Sequence, residues 1–329
     1  MRTLVLGGQY GDEGKGKILS HIAIKDNPRV VARGGVGPNA GHQIFWNGQK
    51  YSMRLIPCGF VNEKARLLIG AGVLVNPEVF IREITLVGAE KRAGIDFRAT
   101  AILQKHIDED SKSENSAKIG TTKTGCGPAM TDKVTRTAKS VSEIPELAPY
   151  MTDVVKEVND TKDVLIEGTQ GFMLSLLYGT YPFVTSKDTS ASTIAADVGL
   201  GPKSIDEVIM VTKSYTTRVG NGPLPDEMPV DEAMKMGYQE YGSVTGRPRR
   251  TSKDLHFDNL RLAARINSAT QIAITKIDVR FPGNNGVKKL ENLTQTARDF
   301  IRNVEKELAT PVTLIGTGPD VHDIIDLRD

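Results

Sequence analysis

The chain of 329 residues carries 42 Lys and Arg side chains against 40 Asp and Glu side chains. This near balance gives no general electrostatic attraction to nucleic acid or to a membrane, so a polyanionic ligand has to be held by local clusters of positive charge. Two cysteines, Cys58 and Cys126, without a C-x-x-C pair argue against a disulfide framework and a cysteine zinc site, and they indicate a reducing compartment.

Seven short apolar runs predict buried strands. The first lies near the N-terminus and is too short for a signal sequence or a membrane span, so we expect a cytoplasmic protein. Each run is followed by glycine or by a helical pattern, which is typical of a mostly parallel sheet covered on both faces. The runs are "TLVLGG", "VVARGG", "LLIGAG", "VLIEGTQG", "EVIMVTKS", "QIAITKID" and "VTLIGTG". We predict an α/β fold with a mostly parallel central sheet, helices on both faces and subsidiary lobes, formed by a single domain over residues 1–329.

Periodic apolar residues predict the helices between these strands. They recur at intervals of three and four over residues 13–24, 77–86, 141–158, 254–268 and 293–308. Asn47-Gly48 between two alternating segments predicts a β-hairpin. Residues 106–137 are polar, rich in Gly and Thr and long for a connection, so we expect this segment to be functional or disordered.

The stretch "GGQYGDEGKGK", residues 7–17, resembles a phosphate-binding loop between a strand and a helix, as in P-loop NTPases. Its lysine, Lys15, is followed by Gly16, so the hydroxyl that normally holds Mg²⁺ is missing. Asp12 can supply a hard oxygen for Mg²⁺ instead, and it can accept a proton from a substrate beside the γ-phosphate. We expect Glu13 in the first turn of the helix, stabilised by the helix dipole.

Three further clusters suggest ligand contacts. His42 lies beside the Gly-rich turn "ARGGVGPNAGHQ", which leaves it accessible, although a lone histidine is more often structural. "SVTGRPRR" either forms a solvated basic run or, because arginine forks match carboxylates, binds a dicarboxylate. Lys276 and Asp278, at the end of a strand, are typical of sites in which a carboxylate accepts hydrogen bonds from guanine.

The order of nine motifs resembles the adenylosuccinate synthetase family, in the short form found in some archaea and phages. The motifs span nearly the whole chain and are "QYGDEGKGK", "GGVGPNAGH", "GTTKTGCGPAMTDKVTR", "EGTQG", "GTYPFVTS", "TTRVGNGP", "VTGRPRR", "TKID" and "GTGPD". The resemblance implies a carbon–nitrogen ligase. A base removes the N1 proton of a 6-oxopurine nucleotide, the 6-oxygen attacks the γ-phosphate of GTP or ATP, and L-aspartate then displaces phosphate from C6.

The resemblance also implies roles for individual residues. Asp12 would be the base and a Mg²⁺ ligand together with the Gly41 carbonyl, and His42 and Lys15 would act at the transferring phosphoryl group. The implied triphosphate site comprises Gly11, Glu13, Gly14, Lys15, Gly16, Lys17, Gly41, His42, Lys276, Asp278, Gly316 and Gly318. The implied acceptor nucleotide site comprises Asp12, Asn39, Thr122, Arg136, Gln170, Thr185, Val219 and Arg247. Aspartate would contact Thr245, Arg247 and Arg249.

The expected assembly is a homodimer in which Arg136 reaches the neighbouring site, in a host cytoplasm if the protein is encoded by a phage. Two acceptors stay open, IMP and dGMP. Departures from the usual family pattern, among them Asn221 where alanine is common, favour dGMP, because a carboxamide could face the 2-amino group of guanine.

Two rival classes lack ligase activity. One is a GTP-binding switch, which would normally keep the Ser/Thr after the loop lysine and would not need "GRPRR". The other is a module that binds the monophosphate without consuming a triphosphate.

Overall fold

A mixed sheet with ten strands crosses the middle of the protein. The structure is a computed structural model, and it describes residues 1–242 and 246–328. Its strands are β1 (Arg2–Gly7), β2 (Val30–Arg33), β5 (Arg66–Ile69), β7 (Ala93–Asp96), β9 (Met151–Thr152), β10 (Val164–Glu167), β11 (Glu207–Lys213), β14 (Gln271–Thr275), β15 (Val312–Gly316) and β16 (Ile324–Asp326). The order across the sheet is β16-β15-β14-β11-β1-β10-β2-β5-β7-β9. All neighbours are parallel except β15 and β16.

Three short strand pairs lie outside this sheet. They are the antiparallel hairpin β3 (His42–Trp46) with β4 (Gln49–Met53), the parallel pair β6 (Leu74–Val75) with β8 (Thr100–Ala101), and the antiparallel pair β12 (Thr216–Arg218) with β13 (Arg250–Ser252). The hairpin predicted at Asn47-Gly48 is confirmed, and both turn residues have the positive φ that the tight turn requires.

Helices cover both faces of the sheet. They are α1 (Lys15–Asp26), α2 (Pro77–Leu86), α3 (Gln104–Lys112), α4 (Glu114–Ile119), α5 (Cys126–Thr135), α6 (Val154–Asp160), α7 (Ala191–Asp197), α8 (Val230–Lys235), α9 (Phe257–Asn267), α10 (Ile277–Arg280) and α11 (Gln295–Leu308). Within the described ranges, none combines the length and apolarity needed to cross a membrane.

Alternation along each strand explains how one sheet supports two cores. Leu4 and Leu6 of β1 pack into a hydrophobic cluster on one face, whereas Val5 between them packs into the cluster on the other face. Successive side chains of a strand point to opposite faces, so a continuous apolar run is expected when helices cover both sides. The predicted α/β fold with a mostly parallel sheet is confirmed, and all seven apolar runs contribute strands to it.

The helix predicted over residues 141–158 is wrong. The chain there forms two 3₁₀ turns, Val141–Glu143 and Pro145–Tyr150, then strand β9, and only then helix α6. Pro145 and Pro149 lack the backbone N–H that a continuous helix uses. The chain instead forms strand β9, which pairs with β7 in the sheet.

Residues 106–137 are folded in the structure. The segment comprises most of α3 together with α4 and α5. Gly120 ends α4 and Gly125 precedes α5, and both have φ of 77°. Ser113 caps α4 by accepting a hydrogen bond from the backbone N–H of Ser116. The alternative of a disordered segment is therefore wrong, because caps and turn glycines divide it into short helices.

Candidate active site

The predicted site residues follow the carboxyl ends of neighbouring parallel strands. β10, β1, β11, β14 and β15 end side by side, and their following loops carry the Gly-rich and polar motifs. Strands β2, β5 and β7 lie on one side of β1 in the sheet. Strands β11, β14 and β15, which come later in the chain, lie on its other side. A crevice at such a reversal is the usual ligand site of an open α/β sheet.

The loop after β1 holds an anionic group of its own. Glu13 is fully buried, and its Oε1 accepts the backbone N–H groups of Gln9 and Gly11, each at 2.9 Å. Its Oε2 lies 2.7 Å from Nζ of Lys15. The prediction of Glu13 in the first helical turn is wrong, because Gly14, with φ of 84°, separates it from α1 and turns its carboxylate into the loop.

Close packing explains why glycine follows the loop lysine. A Cβ on Gly16 would lie 2.9 Å from Sγ of Cys58 and 3.1 Å from Cβ of His42. The hairpin β3–β4 and the turn after it therefore leave no room for the serine or threonine of a standard phosphate-binding loop. The missing hydroxyl follows from the packing of α1.

Asp12 lies at the edge of the loop with its two oxygens in different surroundings. Oδ1 is 3.0 Å from Nη2 of Arg249. Oδ2 is buried and has no hydrogen-bond partner within residues 1–242 and 246–328. Burial raises the pKa of the Asp12 carboxyl above its ordinary value, although Arg249 and Lys213 oppose this.

His42 begins β3 and faces the same space. Its Nδ1 contacts Oε1 of Glu167 and lies 2.9 Å from Nη1 of Arg33, while its Nε2 is buried without a partner in the described part of the chain. Burial and the Arg33 charge lower the pKa of His42 to about 4. Although burial opposes it, the charges of Arg33 and His42 lower the pKa of Glu167 to about 2. His42 is thus held by an ionised carboxylate at one nitrogen and presents the other to a ligand.

His42, Glu167 and Cys58 also bring three potential metal-ligand atoms within 4.8 Å of one another. The guanidinium of Arg33 lies 2.8 Å from Oε1 of Glu167 and already neutralises that carboxylate. These residues therefore do not suit a cation.

Asp12 and His42 open onto one cavity of about 460 Å³. Six further residues of the predicted acceptor site line it: Asn39, Thr122, Gln170, Thr185, Val219 and Arg247. Some of them already contact one another, since Nδ2 of Asn39 donates to Oγ1 of Thr185 at 3.2 Å and Nε2 of Gln170 donates to Oδ1 of Asn39 at 3.1 Å. Arg136 does not line the cavity and is exposed at the C-terminal end of α5.

One wall of the cavity is organised by Asp110, which sequence reasoning missed. Its Oδ1 accepts hydrogen bonds from Ser116 Oγ at 2.7 Å and Thr121 Oγ1 at 2.9 Å, and its Oδ2 accepts the Gly125 N–H at 2.9 Å. The buried carboxylate thereby fixes the turn that carries Thr122. No local motif indicates this, since Asp110 stands among several charged residues.

Asn221, on the segment that follows β12, lines another wall of the cavity. Its Nδ2 donates to the carbonyls of Ala117 at 3.2 Å and Lys118 at 3.0 Å, and its backbone N–H donates to the Ile119 carbonyl. These bonds satisfy the C-terminal end of α4. The Asn221 amide is therefore engaged in joining two protein segments.

The predicted triphosphate base site lies at the same N-terminal end of α1, on the side where β14 and β15 end. Nζ of Lys17 donates to the carbonyls of Gly318 and Asp323, and burial lowers its pKa to about 8. Asp278 lies in the first turn of the short helix α10, which follows Lys276, and its Oδ1 is buried without a partner in the described residues. Burial raises the pKa of Asp278, although Lys17 and Lys276 oppose this.

The arginine-rich segment meets the catalytic loop through Arg249. In addition to its contact with Asp12, Arg249 binds Oε2 of Glu240 through Nη1. Arg247 donates to the Gly120 carbonyl at 2.9 Å, at the rim of the cavity, whereas Arg250 pairs with Glu227 near the surface. Thr245 lies outside the described residues.

Comparison with known proteins decides the family. The family model "Adenylosuccinate synthetase" matches residues 4–146 and 139–281. The chain belongs to the adenylosuccinate synthetase family. It is 55% identical to adenylosuccinate synthetase of Archaeoglobus fulgidus over 333 residues, covering 99% of this chain and 98% of that protein. The enzyme of Methanosphaera stadtmanae is 53% identical, with the same coverage.

Solved structures of adenylosuccinate synthetase and a related enzyme share the fold. The fully ligated adenylosuccinate synthetase of Plasmodium falciparum superposes with a TM-score of 0.92 at 27% identity, covering 99% of both chains. The succinoaminodeoxyadenylate synthetase of cyanophage S-2L, bound to dGMP and dATP, gives a TM-score of 0.84 at 23% identity, covering 100% of this chain and 95% of that one. The protein is a carbon–nitrogen ligase of the adenylosuccinate synthetase type, as predicted.

Proposed function

We propose that this ligase joins L-aspartate to C6 of IMP, driven by GTP, through a 6-phosphoryl intermediate. One cavity carries the proposal, because it brings Oδ2 of Asp12 and Nε2 of His42, neither of which has a partner among the described residues, beside the polar side chains expected to bind the acceptor. The name shared by the relatives at 55% and 53% identity supports IMP, since adenylosuccinate is the product of IMP and aspartate.

In this mechanism Asp12 accepts the N1 proton of the purine. The 6-oxygen of a lactam is a poor nucleophile until N1 is deprotonated, so the base has to lie where N1–H and the γ-phosphate meet. The raised pKa of Asp12 makes it a stronger base than an ordinary aspartate. Glu167 holds Nδ1 of His42 and leaves Nε2 facing the cavity, where it would take up a proton as negative charge builds on the phosphoryl group and so stabilise that charge.

The residues suit Mg²⁺. Oδ2 of Asp12 is a hard anionic oxygen that lacks a partner among the described residues, and together with the Gly41 carbonyl it would hold the ion. Bound Mg²⁺ supplies neutralisation of the phosphate oxygens during transfer, alongside Lys15.

Charge around Arg249 supports L-aspartate as the amine donor. Arg249, Lys213 and Lys276 carry three positive charges against the carboxylates of Glu240 and Asp12, which leaves an excess of positive charge in this cluster. Arg247, Arg249 and Thr245 are the proposed aspartate contacts, and an arginine fork recognises a carboxylate through two parallel hydrogen bonds.

We propose GTP as the phosphate donor. The Oδ1 of Asp278 is buried without a partner among the described residues, and it would accept hydrogen bonds from N1–H and the 2-amino group of guanine, whereas adenine has no such donor pair. Lys276, Gly316 and Gly318 are the further proposed contacts on this side of the triphosphate, and Lys17 Nζ binds the Gly318 carbonyl. A homodimer in which Arg136 contributes to the neighbouring acceptor site is also proposed, and the exposure of Arg136 outside its own cavity supports it.

Asp278→Asn is expected to raise the KM for GTP by about tenfold or more, because an amide presents a donor to the guanine donors and the buried hydrogen bonds to a charged acceptor are lost. The KM values for acceptor and aspartate should stay within about threefold. Steady-state kinetics with each substrate varied in turn measures this. The matched control is Asp299→Asn, on the exposed side of α11. An unchanged GTP KM would move guanine recognition elsewhere.

The preference for dGMP stated from the sequence depended in part on Asn221, and its amide is engaged with α4. We therefore place IMP first and keep dGMP as the competing outcome. The test supplies aspartate and Mg²⁺ with GTP or ATP and, separately, IMP, GMP or dGMP, and follows the succinyl product. IMP with GTP should give the highest kcat/KM. A higher value with dGMP would reverse the acceptor assignment, and no product from any acceptor would refute the proposed reaction.

A further inference from the structure

Glu240 is a buried carboxylate for which the proposed mechanism has no direct use. It accepts hydrogen bonds from three side chains, those of Lys213 at the end of β11, Tyr215 before β12, and Arg249, and it forms an ion pair with Lys276 after β14. Lys213 Nζ lies 3.1 Å from both Glu240 oxygens, Tyr215 OH lies 2.7 Å from Oε1, and Lys276 Nζ lies 3.5 Å from Oε1. Its side chain is only 13% exposed.

Backbone contacts place Glu240 at the neck of the segment that carries the predicted aspartate contacts. The N–H of Arg249 donates to the Glu240 carbonyl at 2.8 Å, and the N–H of Gly242 donates to the Arg247 carbonyl at 2.8 Å. Tyr241 and Pro248 form a bridge between these pairs. Glu240 and Arg249 thus face each other across the neck, and their side chains meet as well.

The aromatic residues beneath Glu240 are closely packed. Tyr215, whose hydroxyl binds the carboxylate, stacks on Tyr238 with ring centroids 4.1 Å apart and an angle of 1° between the planes. Both rings are buried and belong to a hydrophobic cluster with Met228 and Ala233. The carboxylate therefore has a fixed position from which it can orient a guanidinium.

The charges explain why a carboxylate is needed there. Although burial opposes it, Lys213, Lys276 and Arg249 hold the pKa of Glu240 well below its usual range, so the group is ionised. Without it, three cations would face one another. Nη1 of Arg249 would lose the partner that leaves Nη2 directed at Asp12.

We infer that Glu240 is a positioning residue that orients Arg249 for L-aspartate, an inference that rests on the proposed function. The alternative is an internal competitor, in which Glu240 occupies a place on Arg249 that the substrate carboxylate has to take. The two roles predict opposite changes in aspartate affinity when the charge is removed.

Glu240→Gln tests the inference by a split between kinetic constants. We expect the KM for aspartate to rise about tenfold or more, since the amide places an N–H group against cations, while the KM values for IMP and GTP stay within about threefold. Calorimetric binding of aspartate to the enzyme with IMP and a non-hydrolysable GTP analogue should weaken by the same factor. The control is Glu227→Gln, which removes the exposed partner of Arg250 and should leave aspartate KM unchanged.

Tyr215→Phe keeps the ring stack and removes only the hydroxyl bond to Glu240, so it serves if the glutamine variant does not fold. It should raise aspartate KM about two- to fivefold. An unchanged or lowered aspartate KM in a folded variant would overturn the positioning role, and a lowered value would identify a competitor. Wild-type enzyme that forms no succinyl product would instead reject the proposed function.

Discussion

Asp12→Asn is expected to lower kcat by about 10²–10⁴-fold, the range that a positioned general base contributes. The amide cannot accept the N1 proton, whereas its size is almost unchanged and Oδ1 can still accept a hydrogen bond from Arg249. Binding of the acceptor monophosphate, measured by calorimetry without triphosphate, should stay within about threefold of wild type. Because burial raises the pKa of Asp12, the acid limb of kcat/KM should lie above the ordinary aspartate value of about 4.

The matched control is Asp26→Asn at the far end of the same helix, α1. Asp26 pairs with Arg328, away from the cavity, and its replacement should leave kcat unchanged. If Asp12→Asn keeps near-wild-type turnover, Asp12 is not the base.

Arg249→Leu is expected to raise the KM for aspartate about 10- to 100-fold, because charge-assisted hydrogen bonds contribute about 1.5–3 kcal/mol. The KM values for IMP and GTP should change much less. The change also removes the cation that lowers the pKa of Asp12, so that pKa should rise and the acid limb of kcat/KM should move to higher pH. Initial rates over a pH series at saturating nucleotides measure both effects.

Arg261→Leu is the control for this substitution. Arg261 also loses two ion pairs, with Asp258 and Glu307, but on the surface of α9. Equal increases in all three KM values for Arg249→Leu would show that Arg249 does not bind aspartate. An unshifted acid limb would show that Arg249 does not act on the pKa of Asp12 in solution.

Local pattern predicted the sheet well, because a buried parallel strand needs a continuous apolar run and little else. All seven runs form strands, and helix α2 has the predicted bounds, since Asn76 caps it and Pro77 begins it. The helix over residues 141–158 failed where prolines and pairing with β7 outweighed periodicity. Local signals describe elements whose stabilising contacts are near in sequence.

The candidate site shows the same division between features that local sequence predicts and features that the fold determines. The Gly-rich loop and the arginine segment were visible as motifs, but the groups that orient them were not. Glu167 meets His42 across 125 residues, and Glu240 meets Lys213 across 27. Asp110 is one acidic residue among several until the fold brings Gly125 to it. Such partners are chosen by the order of strands in the sheet, which periodicity does not determine.

The carboxylate of Glu13 inside the first loop has a consequence for the product phosphate. Two backbone N–H groups that a standard loop would offer to any small anion are occupied by the protein itself. Inorganic phosphate, which has no base or ribose to hold it elsewhere, meets the negative charge of Glu13 there and finds these two donors occupied. The loop therefore discriminates against the anion that each turnover releases and that surrounds the enzyme in every cell, and product inhibition by phosphate at this position should be weak.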